Sequence, residues 1–246
     1  MKAIGHTEFG GPEVLHEVEL PDPVAGPGEV RIRMHAAAIS PTDTVRRAGI
    51  LAKEAHGQDK PCVPGMKLAG VLEEIGPDTD TDLSVGDHVM GILLPRGSLG
   101  AYSEQIVLPA ESVARVPSGV DGIAASTLPM NGLTARMALD KLELKPGQTI
   151  GVTGAAGTYG GYVVQLAKAE GLWVVADAAE KDRALVKELG ADTVVPPGDD
   201  VADCFLEAVS GGVDGLADGA VLNEKVVGAI RPGGRMATVP STKASR

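Results

Sequence analysis

Seven consecutive residues, Gly154-Ala155-Ala156-Gly157-Thr158-Tyr159-Gly160, carry the strongest chemical signal in the chain. Their glycines are spaced Gly-x-x-Gly-x-x-Gly. Such a turn serves the binding of a dinucleotide pyrophosphate. Phosphate oxygens need unpaired N–H groups at a helix N-terminus, and residues small enough to let the backbone come close. The spacing is looser than the strict Gly-x-Gly-x-x-Gly, so context decides. Here the apolar run Ile150-Gly151-Val152-Thr153 reads as a buried strand entering the turn, and Tyr162 to Glu170 reads as a helix leaving it. The Tyr159 hydroxyl is expected either to donate a hydrogen bond near the pyrophosphate or to pack. Asp177 stands at the end of the next strand, where a carboxylate bonds the ribose hydroxyls and selects NAD(H). Lys181 and Arg183 follow within one helix turn, where a basic group accommodates the extra phosphate of NADP(H). The chain carries both signals, and a solvated helix face is the plainer reading of the two cations.

The elements around this turn alternate in type. After the first strand and helix come strand Leu172 to Ala176, helix Glu180 to Leu189 and strand Thr193 to Val195. Helix Val201 to Val209, strand Gly215 to Ala220, helix Glu224 to Ile230 and strand Arg235 to Val239 complete the series. This is the pattern of a doubly wound parallel sheet. The preceding residues differ. Glu29 to Met34, Ala69 to Ile75, Val85 to Gly91 and Tyr102 to Leu108 read as short strands separated by turns, as in a barrel or sandwich. Ile123 to Leu142 reads as a helix, and the boundary between the two textures is placed near Pro117-Ser118-Gly119.

Bulk properties exclude several roles. The net charge of −11 argues against nucleic acid, whose phosphates need a basic face, and against an anionic membrane surface. No run approaches the about 18 apolar residues of a membrane span, and Met1-Lys2-Ala3-Ile4 does not open a signal peptide. Aromatics make up only 2% of the chain, so the core must be aliphatic. Cys62 and Cys204 stand far apart with no metal-ligand spacing, which points to free thiols in a reducing, cytoplasmic setting.

Further motifs lie in order along the chain: Gly10-Gly11-Pro12-Glu13-Val14-Leu15; Ser40-Pro41-Thr42-Asp43 with Arg47 and Gly49; Pro64-Gly65-Met66-Lys67-Leu68-Ala69-Gly70; Val85-Gly86-Asp87-His88-Val89; Gly100-Ala101-Tyr102-Ser103-Glu104; Leu128-Pro129-Met130-Asn131-Gly132-Leu133-Thr134-Ala135; and Leu189-Gly190-Ala191-Asp192. With the glycine turn, this set resembles the zeta-crystallin-like quinone oxidoreductases, the zinc-free branch of the medium-chain dehydrogenase/reductase superfamily. The resemblance spans nearly the whole chain. It implies an α/β protein, with a GroES-like β domain over residues 1–118 and a Rossmann domain over residues 119–246. It also implies NADP(H) as cofactor, with NAD(H) the alternative, and commonly a homodimer. Ser40, Asp43, Arg47 and Thr134 are carried by it to the cleft near the nicotinamide; a turn or cap role is the plainer reading of each.

Five departures stand out. Zinc-dependent relatives place ligands at the segments matching Ile39-Ser40 and Met66-Lys67, and Ser40, Met66 and Lys67 do not make a tetrahedral zinc site. Lys67 also replaces an acid usual in the quinone reductase branch. Val45 stands for a common Tyr, and Pro197 for a Tyr that some members place on the extra phosphate of NADPH. Only five strands precede the tail Ser241 to Arg246, one fewer than a full Rossmann sheet, so the sheet is expected to be short at its C-terminal end.

The expected reaction is hydride transfer, without metal, to a small quinone or enone. Positioning supplies much of the rate, and donors around the acceptor oxygen supply the rest. Candidate donors are Ser40, Asn131 and Thr134, with water as the proton source. An enoyl reductase acting on an unsaturated thioester or polyketide intermediate, and a non-catalytic nucleotide-binding protein, remain as alternatives.

Overall fold

The computed structural model describes residues 1–50, 61–93 and 99–239. Residues 51–60, 94–98 and 240–246 lie outside this description. The chain forms two compact units that divide between Met130 and Asn131. The division lies inside a helix, α2 (Gly122–Leu142), and Pro117-Ser118-Gly119 precedes that helix.

In the first unit, a hairpin of β1 (Lys2–Gly5) and β2 (His16–Glu19) accompanies an antiparallel sheet. The sheet contains β3 (Glu29–Ala38), β4 (Lys67–Ile75), β5 (His88–Ile92), β6 (Gln105–Pro109) and β7 (Val113–Arg115), in the order β6-β3-β4-β5-β7. Alternation in β3 explains its two faces. Val30 and Ile32 are fully buried, while Arg31 and Arg33 turn away and pair across the sheet with Glu74 (2.9 Å) and Glu73 (2.7 Å). β4 is the central strand, and its first four residues are buried on both faces. Between β3 and β4 lies α1 (Pro41–Arg47). Ser40 is its N-cap, Pro41 opens it without needing an N–H partner, and the Asp43 carboxylate reaches back to the Ser40 N–H at 2.7 Å.

The second unit is a parallel sheet. Its elements are β8 (Thr149–Thr153), α3 (Thr158–Ala169), β9 (Trp173–Asp177), α4 (Arg183–Glu188), β10 (Thr193–Val195), α5 (Val201–Ala208), β11 (Val213–Asp218) and β12 (Ile230–Thr238). The order is β10-β9-β8-β11-β12, the doubly wound arrangement of a Rossmann-type sheet, with the winding reversing beside β8. Helices cover both faces of such a sheet, so β8 and β9 read as continuous apolar runs and not as alternation.

Two helices expected from the sequence take another form. Glu180 to Asp182 is a 3₁₀ turn, and α-helix begins only at Arg183. Asn223–Ala229 is 3₁₀ throughout. There Val226 and Ala229 are both fully buried, and the three-residue repeat stacks positions i and i+3 on one face.

Phe205 of α5 is fully buried with Val175, Val195 and Leu216, and is the largest wholly buried side chain of the described residues. Replacing it by Ala is expected to cost about 3–5 kcal/mol, because so rigid a surround closes little of the cavity. Urea denaturation at neutral pH measures this.

Candidate active site

The glycine turn leaves the C-terminal end of β8, where the winding of the sheet reverses and open α/β sheets bind their ligands. Gly154 takes φ +65, and a Cβ there would lie 3.0 Å from the Ala220 nitrogen and the Gly219 carbonyl carbon. A Cβ on Gly160 would lie 2.7 Å from the Ala155 Cα and collide with the Gly154 carbonyl oxygen. The turn closes through Gly157 N–H to Gly154 O (2.9 Å) and Gly161 N–H to Gly157 O (2.8 Å). The first N–H groups of α3, on Thr158, Tyr159 and Gly160, have no acceptor within the helix, and no side chain caps them. They face the requirement of a pyrophosphate: open donors at the positive end of a twelve-residue helix. Beside them is a cavity of about 270 Å³ lined by Ala156, Gly157, Thr158, Tyr162 and Gln165. A nicotinamide dinucleotide fits this donor set, with Gly154 to Gly160 as its cradle.

Two buried carboxylates brace the turn. Asp177, at the end of β9, accepts the Ala155 N–H at 3.2 Å, and the Gly154 N–H also favours its charged form. It is only 4% exposed, and burial pushes its carboxyl up, partly offset by those two N–H groups. Its carboxylate is thus spent largely on the turn's own backbone. Asp218, at the end of β11, is fully buried. It accepts the Thr153 hydroxyl (2.6 Å), the Leu222 N–H (3.1 Å) and the Asn223 N–H (2.8 Å), joining β8 to the loop after β11. The Tyr159 ring packs toward Gly219, and its hydroxyl is pushed up to about 12 by burial and by the Asp218 charge. It therefore stays protonated and able to donate. Lys181 is exposed, while the exposed Arg183 donates to the Val194 carbonyl at 2.9 Å.

The first unit holds a second polar cluster. Asp43, 4% exposed, accepts the Ser40 N–H (2.7 Å), the Gly65 N–H (3.1 Å) and the Tyr102 hydroxyl (3.2 Å). Gly65 sits at φ +101 under Ala101 and Tyr102, a conformation and a closeness that glycine alone permits. Burial and the Asp43 charge raise the Tyr102 phenol well above its ordinary value. Lys67 is also 4% exposed; burial lowers its pKa, and the Asp43 charge acts in the opposite sense. Arg47 lies farther along α1, clasping the opening turn: its Nε donates to Gly10 O (3.3 Å), and its carbonyl accepts the Gly10 N–H (3.0 Å).

The structure thus brings Ser40 and Asp43 together, with Lys67 close by, and gathers Gly154 to Gly160 with Asp177. Asn131 and Thr134 are half-buried on α2 in the second unit, three residues apart and so on one helix face. Tyr102 and Asp218 were not singled out by sequence. Tyr102 lay inside a family-like segment and read as the start of a strand. Asp218 carried a faint signal, as an acid at a strand end just before a glycine.

Residues 26–118 match the family model described as alcohol dehydrogenase GroES-like domain. A 2-haloacrylate reductase from Burkholderia is 34% identical over 96% of this chain and 72% of its own length. A quinone oxidoreductase from Pseudomonas aeruginosa is 35% identical over 85% of this chain and 63% of its own. Among solved structures, the quinone oxidoreductase from Coxiella burnetii superposes with a TM-score of 0.84 at 30% identity, over 98% of this chain and 76% of that one. The chain therefore spans roughly two thirds to three quarters of these relatives' lengths.

Two substitutions separate binding from bracing. Gly160→Ala is expected to weaken NADPH binding, followed by nicotinamide fluorescence, by about tenfold or more, since overpacking of about 1–3 kcal/mol falls on the turn itself. Asp177→Ala strands the Ala155 N–H and is expected to cost about 1–3 kcal/mol of stability in urea denaturation.

Proposed function

This chain belongs to the medium-chain dehydrogenase/reductase superfamily, among its quinone oxidoreductase-like members, and on that premise we propose that it reduces a quinone or another conjugated carbonyl compound at the expense of NADPH or NADH. The observation that carries this reading is the glycine turn. Its uncapped donors and side-chain-free approach at Gly160 suit a dinucleotide pyrophosphate. The names of the relatives point the same way, because a haloacrylate and a quinone both present an electron-poor carbon conjugated to a carbonyl.

When bound, the reduced nicotinamide supplies the hydride. The residues of the chain position and stabilise. Backbone N–H groups of Thr158, Tyr159 and Gly160 hold the pyrophosphate, and Asp177 keeps the turn in shape. In the second unit Asn131 and Thr134, on one face of α2, are the proposed donors to the acceptor oxygen as charge develops on it, a role worth most where water is excluded. Asp43 orients Ser40 by accepting its backbone N–H, and Arg47 fixes the turn at Gly10. Zinc is not part of the proposal. At the positions where zinc-dependent relatives hold ligands, this chain has a hydroxyl, a thioether and an ammonium, and an ammonium has no lone pair to give.

The choice between cofactors is proposed to fall to NADPH. Asp177 is turned onto Ala155 and Gly154, so its power to select the ribose hydroxyls is reduced, while Lys181 is exposed on the adjoining turn.

Stopped-flow oxidation of NADPH and of NADH, each with p-benzoquinone and with an enone, tests the reading. Oxidation of NADPH in preference to NADH is expected. Lys181→Glu should reverse the preference by about tenfold, the loss of one charge-assisted contact. Binding of either cofactor with no oxidation by any acceptor would instead support a nucleotide-binding protein.

A further inference from the structure

His6 follows β1 and is 2% exposed, so its ring must find its partners inside the protein. Nδ1 lies 2.8 Å from the Glu8 carbonyl oxygen. A carbonyl oxygen only accepts, so in the neutral ring Nδ1 carries the proton and Nε2 the lone pair. That lone pair is buried, and among the described residues no donor reaches it. The Phe9 ring, tilted beside the imidazole with centroids 6.1 Å apart, supplies only carbon and its hydrogens. An imidazole tied to a backbone carbonyl at one nitrogen and bare at the other has the setting of a metal-bound histidine. The carbonyl fixes the tautomer, aims the ring and makes the bare nitrogen a stronger base.

The fold places a second ligand opposite. His6 and Cys62 form an isolated antiparallel bridge, with His6 N–H to Cys62 O at 3.0 Å and Cys62 N–H to His6 O at 2.8 Å. Directly opposed residues of such a pair put their side chains on one face, with Cβ atoms about 4.5–5.5 Å apart. A thiol therefore shares a face with the bare imidazole. Cys62 is half-buried and free of any disulfide. Burial pushes its thiol up, while the Arg46 charge acts the other way and favours the thiolate. Among the described residues, no third His, Cys, Asp or Glu completes a metal-binding group around the two. One sulfur and one nitrogen fall short of the four ligands of a structural zinc site. They suit a soft monovalent ion that accepts two ligands in line, because thiolate selects copper(I). Charge agrees: one thiolate and one monovalent cation are neutral together, and a half-dry position tolerates a neutral assembly best.

We propose that His6 Nε2 and Cys62 Sγ form a two-coordinate site for copper(I). On binding, the ion displaces the thiol proton to water. A sulfur–copper bond and a nitrogen–copper bond form, and the oxidation state of copper does not change. The site lies wholly within the first unit and stands independently of the reductase reading.

Anaerobic titration against copper(I) buffered by bicinchoninate tests this. The reference protein is Cys204→Ser, in which Cys62 is the one remaining thiol. It should withdraw one equivalent of copper from the chelator. Cys62→Ser in that background should abolish the uptake. His6→Gln should weaken it about tenfold or more, at least the loss that follows removal of a ligand's outer partner. X-ray absorption at the copper edge of the Cys204→Ser protein gives a second readout that needs no change at His6. One sulfur and one imidazole nitrogen are expected in the first shell. Failure to take up copper would overturn the proposal and leave the His6 lone pair to a buried water. Uptake that survives Cys62→Ser, or an affinity unchanged in folded His6→Gln, would overturn it too. So would two sulfurs per copper, which would mean that the ion bridges the thiols of two copies.

Discussion

The Asp177 carboxylate accepts the N–H of Ala155 at the point where β8 gives way to α3. A tight turn exposes backbone donors that neither strand nor helix can satisfy, and leaving them buried and unpaired is expensive. Asp177 settles one of them. That frees the next donors, at the start of α3, for a ligand. Asp218 does the corresponding work on the neighbouring strand, tying Thr153 to the loop after β11. The glycine turn is therefore braced from behind by carboxylates, while the first N–H groups of α3 carry no side-chain cap. The cost is visible in Asp177 itself, whose burial opposes its ionisation.

The first unit repeats the device. Asp43 gathers N–H groups from Ser40 and Gly65 and the hydroxyl of Tyr102, three segments remote in sequence. A carboxylate suits this task because it accepts from several directions at once. In both units, then, a buried carboxylate gathers backbone N–H groups that the adjoining turn would otherwise leave unpaired.

Local signals were strong where a single stretch of chain dictates its own conformation. The βα alternation, the glycine turn, and the Ser40-Pro41-Thr42-Asp43 helix start are all short-range patterns, and each is found where the residues put it. Signals were weaker where two states compete over a few residues. Glu180 to Asp182 and Asn223 to Ala229 have helical composition, and packing of Val226 and Ala229 against the sheet drew the latter into a 3₁₀ repeat.

The sequence by itself determined the layering of the second unit, the place of its glycine turn and the kinship of the whole chain, because these rest on periodicity and on residues adjacent in the chain. What only the tertiary structure decided is which polar groups are spent and which are free. Asp177 read as a ribose ligand from its place at a strand end, and folding turned it onto the turn's own backbone. Lys67 read as the replacement of an acid, and folding buried it near the Asp43 carboxylate, whose oxygens accept from Ser40, Gly65 and Tyr102. Hydrogen-bond capacity is shared out in three dimensions among residues far apart in the chain, so no window of sequence records the remainder.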